Sequence, residues 1–175
     1  MYLMSAKEIR DSINVTKDYQ YGGWNTDNNC YAFALGLNVN EDQIGKHAFA
    51  RPGIIAAHIN GTDIYDVNKR SIEQGIKDDL NALKLGYSLI KNTKGFEHKY
   101  VDGHECDIWE MLFFLGEDES DFHFARYLPS GVLMNKWGYL SQPIKTTIED
   151  ISEKGYKLHR IYRVRKCYID DSYYR

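Results

Sequence analysis

The chain has 175 residues, of which 43% are hydrophobic and 27% are charged, and its formal net charge is -3. This composition excludes wholesale disorder and predicts a single domain over residues 1–175, with enough apolar side chains to form a core. The slight negative charge excludes the broad basic surface typical of nucleic-acid binding, so we expect no nucleic-acid partner.

The sequence gives no sign of a secretion leader or a membrane span. Residues 1–8 do not combine a charged leader with an apolar segment, and no apolar run approaches the length of about 18 residues expected for a span. We therefore expect a protein that is cytoplasmic as synthesised and has no membrane partner. Action outside the cytoplasm would require delivery by a phage or by a specialised secretion system.

The three cysteines are Cys30, Cys106 and Cys167, and no Cys-x-x-Cys motif occurs. Because three cysteines cannot all pair within one chain, we expect free thiols in a reducing compartment rather than a disulfide scaffold. His98, His104 and Cys106 could begin a metal site, but no second pair of ligands completes a zinc site. We therefore expect no metal and no other cofactor.

The first predicted element is a helix over residues 6–13. Ser5-Ala6-Lys7-Glu8 is a capping box, and Ile9 and Ile13 place apolar side chains on one helical face. The following loop is rich in aromatic residues, which form either a substrate-binding wall or part of the core; they are Tyr19, Tyr21 and Trp24.

A short buried helix that begins at Cys30 is the central element of the prediction. Asn28 or Asn29 supplies its N-cap, and Gly36 can end it in the left-handed conformation. A thiol at this position meets unpaired backbone N–H groups and the positive end of the helix dipole, both of which favour the thiolate. The thiolate is the nucleophilic form of cysteine.

The middle of the chain predicts a hairpin, a helix and a loop. Apolar residues flank Asn60-Gly61 over residues 54–67, and this dipeptide is typical of a two-residue hairpin turn. A second capping box begins at Ser71 and starts a helix that continues to Gly86, with Gly75 as a weak point inside it. Residues 91–107 are predicted to be a polar loop.

The C-terminal half predicts an antiparallel sheet with one short helix. The helix follows Thr146 or Thr147, and the predicted strands cover residues 87–90, 108–115, 121–127, 132–136 and 156–167. Because helices precede most of the strands, the predicted fold class is α+β.

His123 is the candidate base for a cysteine nucleophile. Alternation along its strand places His123 on one face, with Phe122 and Phe124 on the other. Cysteine catalysis needs an imidazole that takes the thiol proton and a polar group that holds the imidazole. Asn135 follows in the next strand of a predicted hairpin, where its amide could lie beside His123 and orient the ring.

These segments resemble a known family. Asn29-Cys30-Tyr31-Ala32-Phe33-Ala34 resembles the nucleophile helix of papain-like cysteine hydrolases of the NlpC type, which include CHAP-like cell-wall peptidases and amidases of bacteria and phages. The segment 121–126 resembles the histidine strand of a bacterial branch, and the following turn matches at Gly131, Asn135, Lys136 and Gly138. The resemblance implies a papain-like fold in which the nucleophile helix packs on a C-terminal antiparallel sheet.

The resemblance also implies roles for individual residues. Cys30 would be the nucleophile, His123 the base and Asn135 the residue that orients it. The family places an oxyanion helper before the cysteine, and Asn28, Tyr19 and Tyr21 all qualify beside the Cys30 backbone N–H. Candidate substrate-binding residues are Trp24, Arg126 and Lys136.

The expected reaction is hydrolysis of an amide or peptide bond through an acyl-enzyme, with bacterial peptidoglycan as the substrate that the resemblance implies. Two alternatives remain open. The chain could be a cysteine protease or deamidase-type effector that acts on an intracellular protein, or a catalytically silent binding module with the same fold. The expected partners are a peptide or peptidoglycan-like substrate and an inhibitor or immunity protein.

Overall fold

The computed structural model describes residues 2–19, 23–118 and 120–168. These residues form an α+β structure, in agreement with the predicted fold class. Within these ranges, no helix combines the length and the apolar character needed to cross a membrane. The helices are α1 (Ala6–Asp11), α2 (Cys30–Leu35), α3 (Ile54–Asn60), α4 (Ile64–Val67), α5 (Ile72–Ala82) and α6 (Ile148–Glu153).

The strands form one antiparallel sheet. They are β1 (Gly86–Ile90), β2 (Glu97–Val101), β3 (His104–Leu115), β4 (Phe122–Tyr127), β5 (Leu133–Asn135), β6 (Ile144–Lys145) and β7 (Lys157–Cys167). Along the sheet the order is β1-β7-β3-β4-β5-β6, and β2 pairs with the first part of β3. The central strand is β3, which pairs with β4 on one side and with β7 on the other.

Both faces of the sheet are covered by apolar side chains. On one face α1, α2 and α5 pack against β3, β4 and β7 in the larger core cluster, which includes Trp109, Phe113 and Phe124. On the other face the neighbouring residues Phe114 and Ala125 join a smaller cluster with α6. This alternation of burial follows the period of two along a strand.

The predicted hairpin over residues 54–67 is wrong, because this segment forms α3 and α4. The side chain of Asp79 on α5 accepts hydrogen bonds at 2.8 Å from the backbone N–H groups of Gly53 and Ala56. This buried carboxylate satisfies N–H groups at the start of α3, which the local sequence does not indicate. Gly61 has a φ of 68° and ends α3 instead of forming a hairpin turn.

The predicted loop over residues 91–107 is also wrong, because it contains β2 and the start of β3. Asp102 and Gly103 join these strands with φ values of 50° and 82°, and Val101 pairs with His104. Positive φ at both central residues is the geometry in which an Asp-Gly dipeptide forms a two-residue hairpin turn.

The expectation of three free thiols is wrong as well. Cys106 on β3 and Cys167 on β7 lie opposite each other in register and form a disulfide, which leaves Cys30 as the free cysteine. The pairing of the two strands brings the sulfur atoms together, and sequence spacing could not indicate it. The disulfide removes the basis for the expectation of a reducing compartment.

The disulfide predicts a measurable loss of stability on reduction. It joins residues 61 positions apart, and closing a loop of that length stabilises a folded chain by about 4 kcal/mol, mainly by restricting the unfolded state. Reduction should therefore lower the free energy of unfolding by up to about this amount in denaturant titrations with and without reductant. A Cys106→Ser/Cys167→Ser double variant should have the same free energy of unfolding as the reduced protein, and reductant should not change it. Equal stability of the wild type in both conditions would contradict the disulfide.

Candidate functional site

The candidate nucleophile occupies the first position of α2. Asn29 is the N-cap, and its side-chain oxygen accepts hydrogen bonds from the backbone N–H groups of Tyr31 and Ala32. Gly36 ends the helix with a φ of 76°, in the predicted left-handed region. The helix is buried along its length, and Cys30 is 7% exposed. Local capping and core packing thus fix the position of the thiol.

The short length of β5 determines where α2 meets β4. β5 ends at Asn135, which lies opposite Ala125, so within the described chain no strand pairs with residues 122–124 on that side. The start of α2 lies at this unpaired edge, where the backbone N–H of Phe124 is near enough to the Cys30 thiol to act against the rise in its pKa. The thiol therefore lies beside the peptide unit that follows the candidate histidine.

His123 lies on the face of β4 opposite to Phe124, as the alternation predicts. Its ring stacks on Trp137, with centroids 3.8 Å apart and an interplanar angle of 5°. The rings of Phe114 and Tyr156 border it at centroid distances of 6.3 and 5.6 Å. His123 is 3% exposed. These aromatic neighbours restrict the orientation of the imidazole.

Asn135 is hydrogen-bonded to His123, and the structure thus brings together the predicted base and the residue predicted to orient it. The Asn135 amide and His123 Nε2 are 2.9 Å apart. With the amide nitrogen towards the ring, Asn135 Oδ1 is buried without a partner. Rotating the amide by 180° places its oxygen on Nε2, and this oxygen then accepts a hydrogen bond from Nε2–H. In this orientation Oδ1 has a hydrogen-bond partner, and Nδ1 of His123 is unprotonated and able to act as a base.

Burial makes both reactive groups neutral. It raises the pKa of the Cys30 thiol to about 11, although the N–H groups of Phe124, Tyr31 and Cys30 itself act in the opposite direction. Burial also lowers the pKa of His123 to about 4. At neutral pH the pair is therefore a thiol and a neutral imidazole. The expectation that the helix start favours the thiolate is wrong for this form, because loss of hydration outweighs the backbone N–H groups.

The three residues predicted to bind substrate are buried around α2. Trp24 donates its indole N–H to the Asn28 side-chain oxygen at 2.7 Å, and Arg126 donates Nε–H to the Phe33 carbonyl at 2.9 Å. Lys136 donates to the Asn28 carbonyl. Each side chain therefore contributes to the packing that supports α2, and all three are at most 3% exposed.

The aromatic loop before α2 belongs to the core as far as it is described. Tyr19 and Trp24 form an edge-on pair with centroids 4.8 Å apart, and Trp24 forms another with Phe33 at 5.1 Å. The described aromatic residues of this loop are therefore part of the core and do not form a substrate-binding wall. Tyr21 lies outside the described residues.

The side chain of Asn28, a candidate oxyanion helper, forms hydrogen bonds that hold the structure around α2. Its oxygen accepts from Trp24, while its amide nitrogen donates to the carbonyls of Leu37 and Val39 at 3.2 and 2.9 Å. These contacts join the segment before α2 to the segment after it. The backbone N–H groups of Phe124, Tyr31 and Cys30 all act on the thiol, and the Cys30 N–H stays the candidate donor for an oxyanion beside the sulfur.

Three aromatic residues that were not among the sequence-based candidates border the site. Trp137 covers one face of His123. Tyr139 and Tyr156 lie near enough to Cys30 that negative charge on its sulfur contributes to raising their pKa values, after the larger effect of burial. The position of Trp137 and Tyr139 directly after β5 could have indicated them, whereas nothing in the sequence marks Tyr156.

The residues considered for a metal site have other partners. His98 is bonded to Asp107 at 2.6 Å and to Glu105 at 3.0 Å, and Cys106 is in the disulfide. Across residues 2–19, 23–118 and 120–168, no group of three His, Cys, Asp or Glu side chains could hold a metal ion.

Comparison with known proteins assigns no family. No family model matches the chain, and no curated protein or solved structure matches it. The function must therefore be inferred from the side chains that meet at β4.

The electrostatics of the site predict slow, pH-dependent alkylation of Cys30. Iodoacetamide reacts with thiolates, and a pKa of about 11 leaves the thiol protonated at neutral pH. The rate at pH 7 should be on the order of 100-fold or more below that of free cysteine, and it should rise tenfold per pH unit up to pH 10. Mass spectrometry of the unreduced, folded protein measures this rate.

Cys30→Ser is the control for this measurement and should take up no label. Fast labelling of Cys30 with a rate that stays constant between pH 5 and pH 8 would contradict the neutral pair. That result would mean that the resting site holds a thiolate and an imidazolium.

Proposed function

We propose that this chain is a cysteine hydrolase with a papain-like arrangement, in which Cys30 is the nucleophile, His123 the base and Asn135 the residue that orients the base. One observation carries the proposal: the Cys30 thiol and the His123–Asn135 pair meet the same short, unpaired segment of β4. Burial of an imidazole and an amide costs free energy that apolar side chains would not incur. The presence of a thiol, an imidazole and an amide around one short segment of β4 therefore favours a chemical role.

The reaction that fits these groups is acyl transfer to sulfur. His123 takes the Cys30 proton as the sulfur attacks the carbonyl carbon, and the Cys30 backbone N–H stabilises the oxyanion. The imidazolium then gives its proton to the leaving amine, and a thioester remains. Water attacks the thioester while His123 takes a proton from it, which releases the carboxylic acid and restores the thiol.

The side chains that cover the site must move before the reaction can begin. Cys30 and His123 are 7% and 3% exposed, so a substrate carbonyl can reach the sulfur only when bordering side chains move. Trp137, Tyr139 and Tyr156 are the side chains that border the pair. In this account the thiolate forms during the encounter with substrate and is absent from the resting protein.

The proposed substrate is an amide bond in bacterial peptidoglycan. The support for it is the resemblance of the segments 29–34 and 121–126 to the nucleophile helix and histidine strand of NlpC-type cell-wall hydrolases. The α+β architecture, with α2 packed on an antiparallel sheet, agrees with the arrangement that this resemblance implies.

Digestion of purified peptidoglycan tests this proposal. The wild type should release fragments with new peptide or amine ends, which mass spectrometry identifies. Cys30→Ala should lose this activity completely, and His123→Ala should reduce the rate by about 100- to 10,000-fold because the general base is lost. His104→Ala, which removes an exposed histidine at the start of β3, should retain wild-type activity.

Two results would overturn the assignment in different ways. If no form of the protein releases fragments from peptidoglycan that lysozyme digests, the wall is not the substrate. If Cys30→Ala releases the same fragments as the wild type, the chain has a different catalytic centre.

A further inference from the structure

Lys136 carries a buried positive charge beside the residue that holds His123. It directly follows Asn135 and is fully buried. Its ammonium group donates to backbone carbonyls of Asn28, of Thr26 at 3.4 Å and of Gly138 at 2.6 Å. A lysine ammonium has three donors, so these carbonyls can satisfy its hydrogen-bonding capacity.

The carbonyl partners leave the charge of Lys136 uncompensated. Carbonyl groups are neutral, and within the described ranges Lys136 takes part in no ion pair. A buried cation without an anion is unfavourable, and burial lowers the pKa of Lys136. The negative charges that act against this lowering are those of Cys30 and Asp27.

The position of the ammonium links it to the start of α2. Two of its carbonyl partners, Thr26 and Asn28, belong to the segment that leads directly into Cys30. The third, Gly138, belongs to the turn after β5. Lys136 therefore joins the two segments that flank the unpaired edge of β4, and its charge is near enough to Cys30 that each group affects the pKa of the other.

We propose that Lys136 is a positioning residue whose ammonium is the counter-charge of the Cys30 thiolate and of the anionic groups that form there during the reaction. The thiolate is compensated by a fixed cation that is already desolvated, and no reorganisation of water is needed. The proposal rests on the proposed function for its catalytic meaning. The electrostatic coupling between the two groups can be measured without any substrate.

The pH profile of Cys30 alkylation in folded variants tests the coupling. Lys136→Met removes the charge and keeps an unbranched side chain, so alkylation at pH 9 should be about tenfold slower, which corresponds to one pKa unit for the thiol. Lys136→Arg keeps the charge and should stay within about threefold of the wild type. Lys145→Met, which removes an exposed lysine from β6, is the matched control and should leave the profile unchanged.

A second variant covers the case in which Lys136→Met does not fold. Lys136→Gln removes the charge and keeps a side-chain donor for the backbone carbonyls. Its alkylation at pH 9 should be slowed about tenfold, as in Lys136→Met.

An unchanged alkylation profile in folded Lys136→Met or Lys136→Gln would overturn the proposal and leave Lys136 with a purely structural role. A measured coupling together with intact peptidoglycan would support the role of Lys136 while the proposed substrate fails. The two proposals can therefore fail separately.

Discussion

The early end of β5 is the constraint on which the site depends. Because pairing with β4 stops at Asn135, no described strand covers Phe124 on that side, and the backbone N–H of Phe124 acts on the Cys30 thiol. The same strand end puts Asn135 against His123 and sends Lys136 towards the start of α2. A β5 that continued by two residues would fill the edge with backbone hydrogen bonds and exclude the helix.

Burial of these groups explains why the resting site holds neither a thiolate nor an imidazolium. Loss of hydration keeps Cys30 as a thiol and His123 as a neutral imidazole, with pKa values of about 11 and about 4. The surrounding N–H groups and the Lys136 ammonium act in the opposite direction, towards negative charge on sulfur. These groups reduce, without cancelling, the free-energy cost of placing negative charge on the buried sulfur during the reaction.

Elements with local signals were predictable from the sequence, and those that depend on distant contacts were not. The capping residues and apolar spacing indicated α1, α2 and α5, and the alternation around His123 gave its face correctly. Asn60-Gly61 indicated a hairpin, yet this segment is helical because Asp79 on another helix binds the N–H groups at the start of α3. The dipeptide that does form a two-residue hairpin turn is Asp102-Gly103, between β2 and β3.

For the site, chain order and residue type indicated the Cys30, His123 and Asn135 set, whereas burial could not be read from the sequence. Charged and aromatic residues such as Arg126 and Trp24 suggested contacts with a ligand, and the structure places them in the packing around α2. The disulfide between Cys106 and Cys167 depends on the register of β3 against β7, which local patterns do not determine.

The most direct test of the account is whether Cys30 and His123 can be joined by a short bifunctional alkylating reagent. 1,3-Dibromoacetone, applied to the unreduced protein at pH 9, should link the Cys30 sulfur to the His123 imidazole, and tandem mass spectrometry of the digested protein would identify the joined peptides. The link should be absent in denaturant and in His123→Ala. Alkylation of Cys30 without a bridge, or a bridge to another histidine, would contradict the assignment of His123 as the base.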